Sequence, residues 1–177
     1  ALDAAEASLG GIDVVVVTAG VHASQEALEA DDEAFARLAQ IDFVGTVRFC
    51  ECVRRRVAAG ARITLAVVGS VAGDRARRSV SLYGATKAGL AHYLDGLELR
   101  WRDRGLSVVT IKPGFVRTPM TVGIAEPPFA SDVGPVARSI VRAIDRRRRV
   151  AYVPGVWRWI MAVIRCLPRS VLRRADL

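Results

Sequence analysis

The chain predicts an α/β layered domain built on a parallel sheet, and three features carry that reading. Four short runs rich in Val and Ile (Ile12–Thr18, Ile63–Gly69, Leu106–Ile111 and Val150–Val153) are nearly continuous rather than alternating, the pattern of strands covered on both faces. Between them lie longer stretches with apolar residues three or four apart, as helices packed on a core require. Strand and helix alternate along the chain, which in such folds means parallel strands joined by right-handed crossovers. With 177 residues there is room for one domain with a core, and 51% hydrophobic with 25% charged residues describes a globular protein.

In chain order, ALDAAEASLGG reads as the end of a helix and a turn, so the chain looks like the later part of a longer protein. The first strand follows and ends in Thr18-Ala19-Gly20. Ala34 to Ala59 is helical, with Phe35, Leu38, Ile41, Val44, Phe49 and Val53 at helical spacing. The second strand ends at Ser70 and leads into a charged loop, Asp74, Arg75, Arg77 and Arg78. Tyr83 to Arg104 is the next helix, with Leu90, Tyr93, Leu94 and Leu97 on its apolar side and Gly105 as C-cap. The third strand runs into Pro113-Gly114. Val133 to Arg146 is a helix with Val136, Ile140, Val141 and Ile144 inward, and Val150–Val153 closes the sheet. Residues 1–155 form the domain body. Residues 156–177 form an amphipathic helix and basic tail, with Trp157, Ile160, Met161, Val163, Ile164 and Leu167 apolar, Arg158 and Arg165 on one face, and Arg169, Arg173 and Arg174 beyond.

The net charge is +8, from 26 basic and 18 acidic residues, and 24 of the basic ones are arginine. No zinc-ligand spacing and no aromatic RNA-binding motif accompanies that charge, so a nucleic-acid partner is not expected. The remaining readings are a solvated arginine-rich surface and contact with an anionic membrane. The tail suits a membrane interface, and equally a place on the core or on a second subunit. No apolar run reaches the length of a span. Cys50, Cys52 and Cys166 form neither a disulfide framework nor a metal set, so they read as packing residues of a protein in a reducing cytoplasm. His22 and His92 have no partners at ligand spacing and read as surface or packing residues. No metal site is expected.

In open parallel sheets ligands sit outside the carboxyl ends of the strands, so the chemistry should lie just after each run. Ser70 ends the second strand. Tyr83 follows thirteen residues later and Lys87 four after that, one turn along the same helix face. A phenol titrates near ~10 and exchanges protons poorly at neutral pH. A neighbouring ammonium favours phenolate, so Lys87 is expected to lower the Tyr83 pKa and equip it for proton transfer to a substrate oxygen. Ser70 can hydrogen-bond that oxygen as charge develops. A compact lysine suits the place better than arginine because it can also reach a sugar hydroxyl.

Ser70, the run Tyr83-Gly84-Ala85-Thr86-Lys87, the Thr18-Ala19-Gly20 turn after a valine strand, and Pro113-Gly114-Phe115-Val116-Arg117-Thr118 together resemble the short-chain dehydrogenase/reductase family, in the family's order from about residue 10 to about 120. The resemblance implies a Rossmann-like doubly wound parallel sheet, truncated at the N-terminus with the first three strands absent, and hydride transfer between a nicotinamide (NAD or NADP) and a carbonyl or alcohol carbon. Tyr83 is then the proton donor or acceptor, Lys87 its pKa-lowering partner and the holder of the nicotinamide ribose, and Ser70 the residue that positions the substrate oxygen. Pro113, Gly114, Val116 and Thr118 would lie along the nicotinamide half of the cofactor, Ala19 and Gly20 beside the adenosine half. Asp42 stands where the family usually has an Asn that carries a proton relay, a role its backbone carbonyl can fill. Thr18 likewise replaces a usual Asn. The glycine-rich pyrophosphate turn, and the residue that separates NAD from NADP, are not in the sequence.

Ser70-Val71-Ala72-Gly73-Asp74-Arg75-Ala76-Arg77-Arg78-Ser79 and the tail's Arg165-Cys166-Leu167-Pro168-Arg169-Ser170 further resemble one actinobacterial branch, the decaprenylphosphoryl 2-keto-pentose reductases of arabinan synthesis. That likeness implies NADH as reductant, a 2-keto sugar on a polyprenyl phosphate as substrate, and the inner face of the cell membrane as location; the full-length protein is expected to be a homo-oligomer. The arginine loop would face the phosphate, or be only a solvated turn. A reductase of another lipid-like or small ketone, and a truncated non-catalytic homologue, stay open beside it.

Overall fold

The computed structural model describes residues 1–174. In chain order the main elements are α1 (Leu2–Leu9), β1 (Val14–Val17), α2 (Gln25–Ala30), α3 (Asp32–Ala39), α4 (Thr46–Ala58), β2 (Ile63–Val68), α5 (Ser81–Trp101), β3 (Leu106–Pro113), β4 (Val116–Arg117), β5 (Ser131–Asp132), α6 (Val133–Asp145), β6 (Val150–Val153), α7 (Val156–Cys166) and α8 (Arg169–Arg174). The sheet is parallel throughout, in the order β1-β2-β3-β6. Its register sets Val15 beside Leu65, Leu65 beside Val108, and Ile111 beside Ala151. Helices cover both faces. Val15, Val17, Leu65, Val67 and Val108 meet Cys50 and Val53 of α4 and Leu90 and Leu94 of α5. On the opposite face Ala66, Val109, Ile111 and Ala151 meet Val136 and Ala143 of α6. The doubly wound α/β arrangement expected from the alternation of runs is therefore present.

Element bounds follow the sequence patterns closely, with instructive departures. The first run is not covered on both faces: Val15 and Val17 are buried, whereas Val14 and Val16 are 48% and 47% exposed. Helix α6 packs on the β3–β6 end and does not extend over β1. Among the described residues β1 also pairs with β2 alone, so its other edge is open. The helix expected over Ala34–Ala59 is interrupted by a π-helical turn, Gln40–Gly45, between α3 and α4. A π turn holds one residue more than an α turn and displaces a carbonyl; the Thr46 hydroxyl donates to the Ile41 carbonyl at 2.9 Å. A 3₁₀ turn, Arg102–Arg104, ends α5, and Gly105 closes it in the left-handed region at φ 102°, the expected cap. Of the cysteines Cys50 packs in the core, and burial pushes its thiol up to about 12. Cys52 is half-buried, and Cys166 is exposed at the end of α7 rather than packed.

The tail helix has an inner and an outer side. Trp157 and Met161 are buried against Val71, with Phe115, Tyr152, Ile160 and Ile164 around them. A Cβ added to Gly114 would lie 1.9 Å from the Trp157 indole nitrogen, so the ring rests directly on the glycine backbone. Replacing Trp157 with Ala empties that site and should cost about 3–5 kcal/mol of stability in a denaturant titration; a loss below about 1 kcal/mol would show that α7 is not part of the folded body.

Candidate active site

Four loops meet at the carboxyl rim of the sheet. Ser70 follows β2 and caps the 3₁₀ turn Val71–Gly73; its hydroxyl oxygen accepts the Ala72 N–H at 3.1 Å, leaving its own hydrogen to donate. The turn lies hard against α5: a Cβ at Gly73 would come within 2.7 Å of the Lys87 carbonyl carbon. That approach brings Ser70 to the first turn of α5, where Tyr83 and Lys87 share a face with the Lys87 Nζ 5.4 Å from the Tyr83 ring centroid.

Asp42 comes from the π turn and is fully buried at 0% exposure. One carboxylate oxygen accepts the Val21 N–H at 2.8 Å, and the other lies 3.0 Å from the Lys87 Nζ. The second approach falls outside hydrogen-bond angles, so it is an ionic contact. Lys87 is itself 4% exposed. Gly20 leaves just enough room: a Cβ there would be 3.3 Å from the Lys87 Nζ and 3.4 Å from Asp42.

Burial pushes the Tyr83 phenol up to about 12, a hydrogen bond from Ser70 pulls it partly back, and the Asp42 charge adds to the rise.

Two residues that the sequence reading left aside hold Tyr83. Gln25, buried in the first turn of α2, accepts the Leu82 N–H at 3.0 Å and so caps the start of α5. His22 meets the Tyr83 ring edge-on at 5.0 Å between centroids, and burial lowers its pKa against a smaller opposing effect of Asp42. Neither carries a local sequence signal, since both partners lie about sixty residues away in the chain.

The remaining expected residues are placed as follows. Gly20 lies in the loop beside Lys87 and Asp42, while Ala19 is exposed. The Gly69 N–H donates to the Ile111 carbonyl at 2.8 Å, which ties the ends of β2 and β3 together and puts Pro113 and Gly114 on the same rim as Ser70. Val116 packs on the α6 side of the core. Thr118 caps the short turn Pro119–Thr121, its N–H donating to the Thr121 hydroxyl at 3.0 Å. The arginine loop turns toward the tail. Arg75 donates to the Leu167 carbonyl at 3.1 Å and Arg78 to the Arg173 carbonyl at 3.4 Å. Asp74 forms an ion pair with Lys112 and accepts the Tyr152 hydroxyl at 2.6 Å. Arg77 is half-buried, its Nε without a hydrogen-bond partner, and burial lowers its pKa.

A model of the family described as short chain dehydrogenase matches residues 1–128, and the chain belongs to that family. Over 165 residues it is 32% identical to an uncharacterized oxidoreductase of Mycobacterium tuberculosis, covering 93% of this chain and 66% of that one. It is also 32% identical over 168 residues to an uncharacterized oxidoreductase of Streptomyces coelicolor, covering 93% and 65%. The chain thus spans just under two thirds of the length of these relatives. Among solved structures, a short-chain dehydrogenase from Sphingobium yanoikuyae in complex with NADPH matches with a TM-score of 0.75 at 25% identity, over 94% of this chain and 71% of that one. One from Burkholderia cenocepacia in complex with NADP matches with a TM-score of 0.82 at 18% identity, over 97% and 74%, a likeness of fold.

The donor set at the rim fits a nicotinamide nucleotide. The Lys87 ammonium has three N–H donors, and Asp42 sits to one side of it, so donors remain for ribose hydroxyls. The Gly20 backbone leaves the approach to them free of a side chain.

Proposed function

We propose that this chain carries the catalytic residues of a nicotinamide-dependent reductase that converts a ketone to an alcohol. The observation that supports it most is the meeting of Ser70, Tyr83 and Lys87 at the carboxyl rim of a parallel sheet, in a family whose solved members include complexes with NADP and NADPH. When bound, the nicotinamide supplies the hydride that reaches the carbonyl carbon. Ser70 donates its hydroxyl hydrogen to the carbonyl oxygen and holds it beside Tyr83. The Tyr83 phenol gives its proton to that oxygen as negative charge builds there, completing the alcohol, and the phenolate left behind is reprotonated from water. Lys87 holds the ribose hydroxyls, and the Gln25 cap and the His22 edge fix the phenol in place.

NADH and a 2-keto sugar on a polyprenyl phosphate, met at the inner membrane face, are the reductant, substrate and location that the branch resemblance implies. The location is supported by the outer side of α7, where Trp159 and Val163 are 70% and 63% exposed and Arg158 lies 5.8 Å from the Trp159 ring centroid. Apolar rings beside basic groups suit a membrane interface. No helix among the described residues is long and apolar enough to cross a membrane. A reductase of a small or differently built lipid-like ketone is the second reading. It is favoured by the engagement of Arg75 and Arg78 with tail carbonyls, which takes donors away from a substrate phosphate.

Tyr83→Phe in the intact enzyme keeps the ring and removes the exchangeable proton. Ketone turnover should fall about 10²–10⁴-fold with an unchanged melting temperature; near wild-type turnover would refute the reading. Replacing both Trp159 and Val163 with Ser should abolish co-sedimentation with anionic vesicles while leaving the melting temperature in place. Sedimentation equal to wild type would remove α7 as a membrane contact.

A further inference from the structure

We propose that Arg77 is the anchor of an anion site in the loop between Ser70 and α5, and that this site takes a phosphate group, free or carried on a lipid headgroup. The proposal goes beyond the reductase reading and does not depend on it.

The inference starts from an unbalanced charge. Arg77 is half-buried, its Nε is enclosed, and no acceptor among the described residues reaches that N–H. A guanidinium keeps its proton throughout the working pH range, so it cannot relieve burial by becoming neutral. Buried charges are ordinarily paired, because a cation taken out of water without a counter-charge is costly. Among the described residues no carboxylate pairs with Arg77, and the influence acting on its charge is the unfavourable one of burial.

The neighbouring groups do not supply the missing charge. Asp74, the acid of the same loop, is already engaged: it pairs with Lys112 and accepts the Tyr152 hydroxyl at 2.6 Å. Arg75 donates to the Leu167 carbonyl at 3.1 Å and Arg78 to the Arg173 carbonyl at 3.4 Å. A carbonyl satisfies a donor but carries no net charge, so these contacts hold the loop to the tail and leave both cations uncompensated. Arg75 also keeps an enclosed Nε–H without an acceptor. Helix α8 adds Arg169, Arg173 and Arg174 and no acid. The junction of loop and tail is thus a region of one sign, and such a region concentrates anions.

The donors select the kind of anion. The Nε–H and a neighbouring Nη–H of one guanidinium form a fork that matches two oxygens of a phosphate or carboxylate. A phosphate monoester brings a charge of about −1.5 to −2 and three acceptor oxygens, whereas a carboxylate brings a single charge and two. Where several guanidiniums lack a counter-charge, the phosphate compensates more of them.

The test compares Arg77→Met, which keeps an apolar stem and removes the charge, with Arg148→Gln, which removes a charge from the exposed run after α6. The intact protein is melted in inorganic phosphate and in chloride of the same ionic strength. Phosphate should raise the melting temperature of wild type and of Arg148→Gln by about 2–4 °C or more and leave Arg77→Met unmoved. In chloride Arg77→Met should melt no lower than wild type, since it loses a half-buried cation that has no protein partner. Sedimentation with vesicles containing phosphatidic acid separates the two sources of phosphate. A headgroup ligand predicts attachment weakened several-fold in Arg77→Met relative to Arg148→Gln. A free-phosphate ligand predicts equal attachment of the two variants, with the melting shift confined to proteins that retain Arg77. Equal attachment together with no phosphate shift, or with the same shift in Arg77→Met as in wild type, would overturn the proposal. So would an Arg77→Met protein that melts several degrees below wild type in chloride, since Arg77 would then be held by the protein itself. None of these readouts uses turnover, so they stand apart from the Tyr83→Phe kinetics.

Discussion

A buried ion pair between two residues that are forty-five positions apart organises the rim of this sheet. Asp42 and Lys87 are both removed from water and meet at 3.0 Å. Each is costly to bury alone: removing one member of such a pair and leaving the other unpaired typically costs about 3–5 kcal/mol. The surrounding backbone conforms to that requirement. The π turn carries Asp42 inward, the Val21 N–H fixes its second oxygen, and Gly20 keeps a side chain out of the space beside both groups. Tyr83 and Ser70 then occupy the positions that remain, one on the preceding turn of α5 and the other on the tight turn packed against it.

The same constraint explains why a protein with so many arginines retains two lysines. Lys87 pairs with Asp42 and Lys112 with Asp74, and all four side chains are largely shielded from solvent. A compact ammonium fits against a single carboxylate in a narrow space; a planar guanidinium needs room for its fork and partners for five N–H donors. The Asp74 pair does for the tail what the Asp42 pair does for the active site. Through Lys112, Tyr152 and the neighbouring Arg75 it joins the loop after Ser70 to β3, β6 and the end of α7. The tail is consequently part of the structure around the rim, with Trp157 resting on Gly114, while only its outer side is left for other surfaces.

Much of this was legible because it follows local rules. The strands show as Val-rich runs, the C-cap as Gly105, and the Tyr83–Lys87 pairing as a helical repeat next to a serine at a strand end. The contact between Asp42 and Lys87 was not legible, since it depends on a π turn whose extra residue has no compositional signature. Trp157 and Trp159 are two residues apart in an apolar stretch, and periodicity alone does not say which of them faces Gly114. The sequence left the arginine loop open between a phosphate contact and a solvated turn, because the backbone carbonyls of the tail that Arg75 and Arg78 meet are displayed by no sequence pattern. The exposed side of β1 is a question of what packs on the sheet rather than of the valine run itself.

The ion pair at the centre of this account can be observed directly. With only two lysines in the chain, nitrogen-15 NMR of the side-chain ammonium groups gives one signal for each. A buried ammonium held against a carboxylate exchanges its hydrogens slowly enough to be detected, so a protected Lys87 signal should be present in wild type, correlate with the Asp42 carboxylate, and change in Asp42→Asn while the Lys112 signal stays where it is. A Lys87 ammonium that exchanges as fast as a solvent-exposed lysine, or a signal indifferent to Asp42→Asn, would contradict the account.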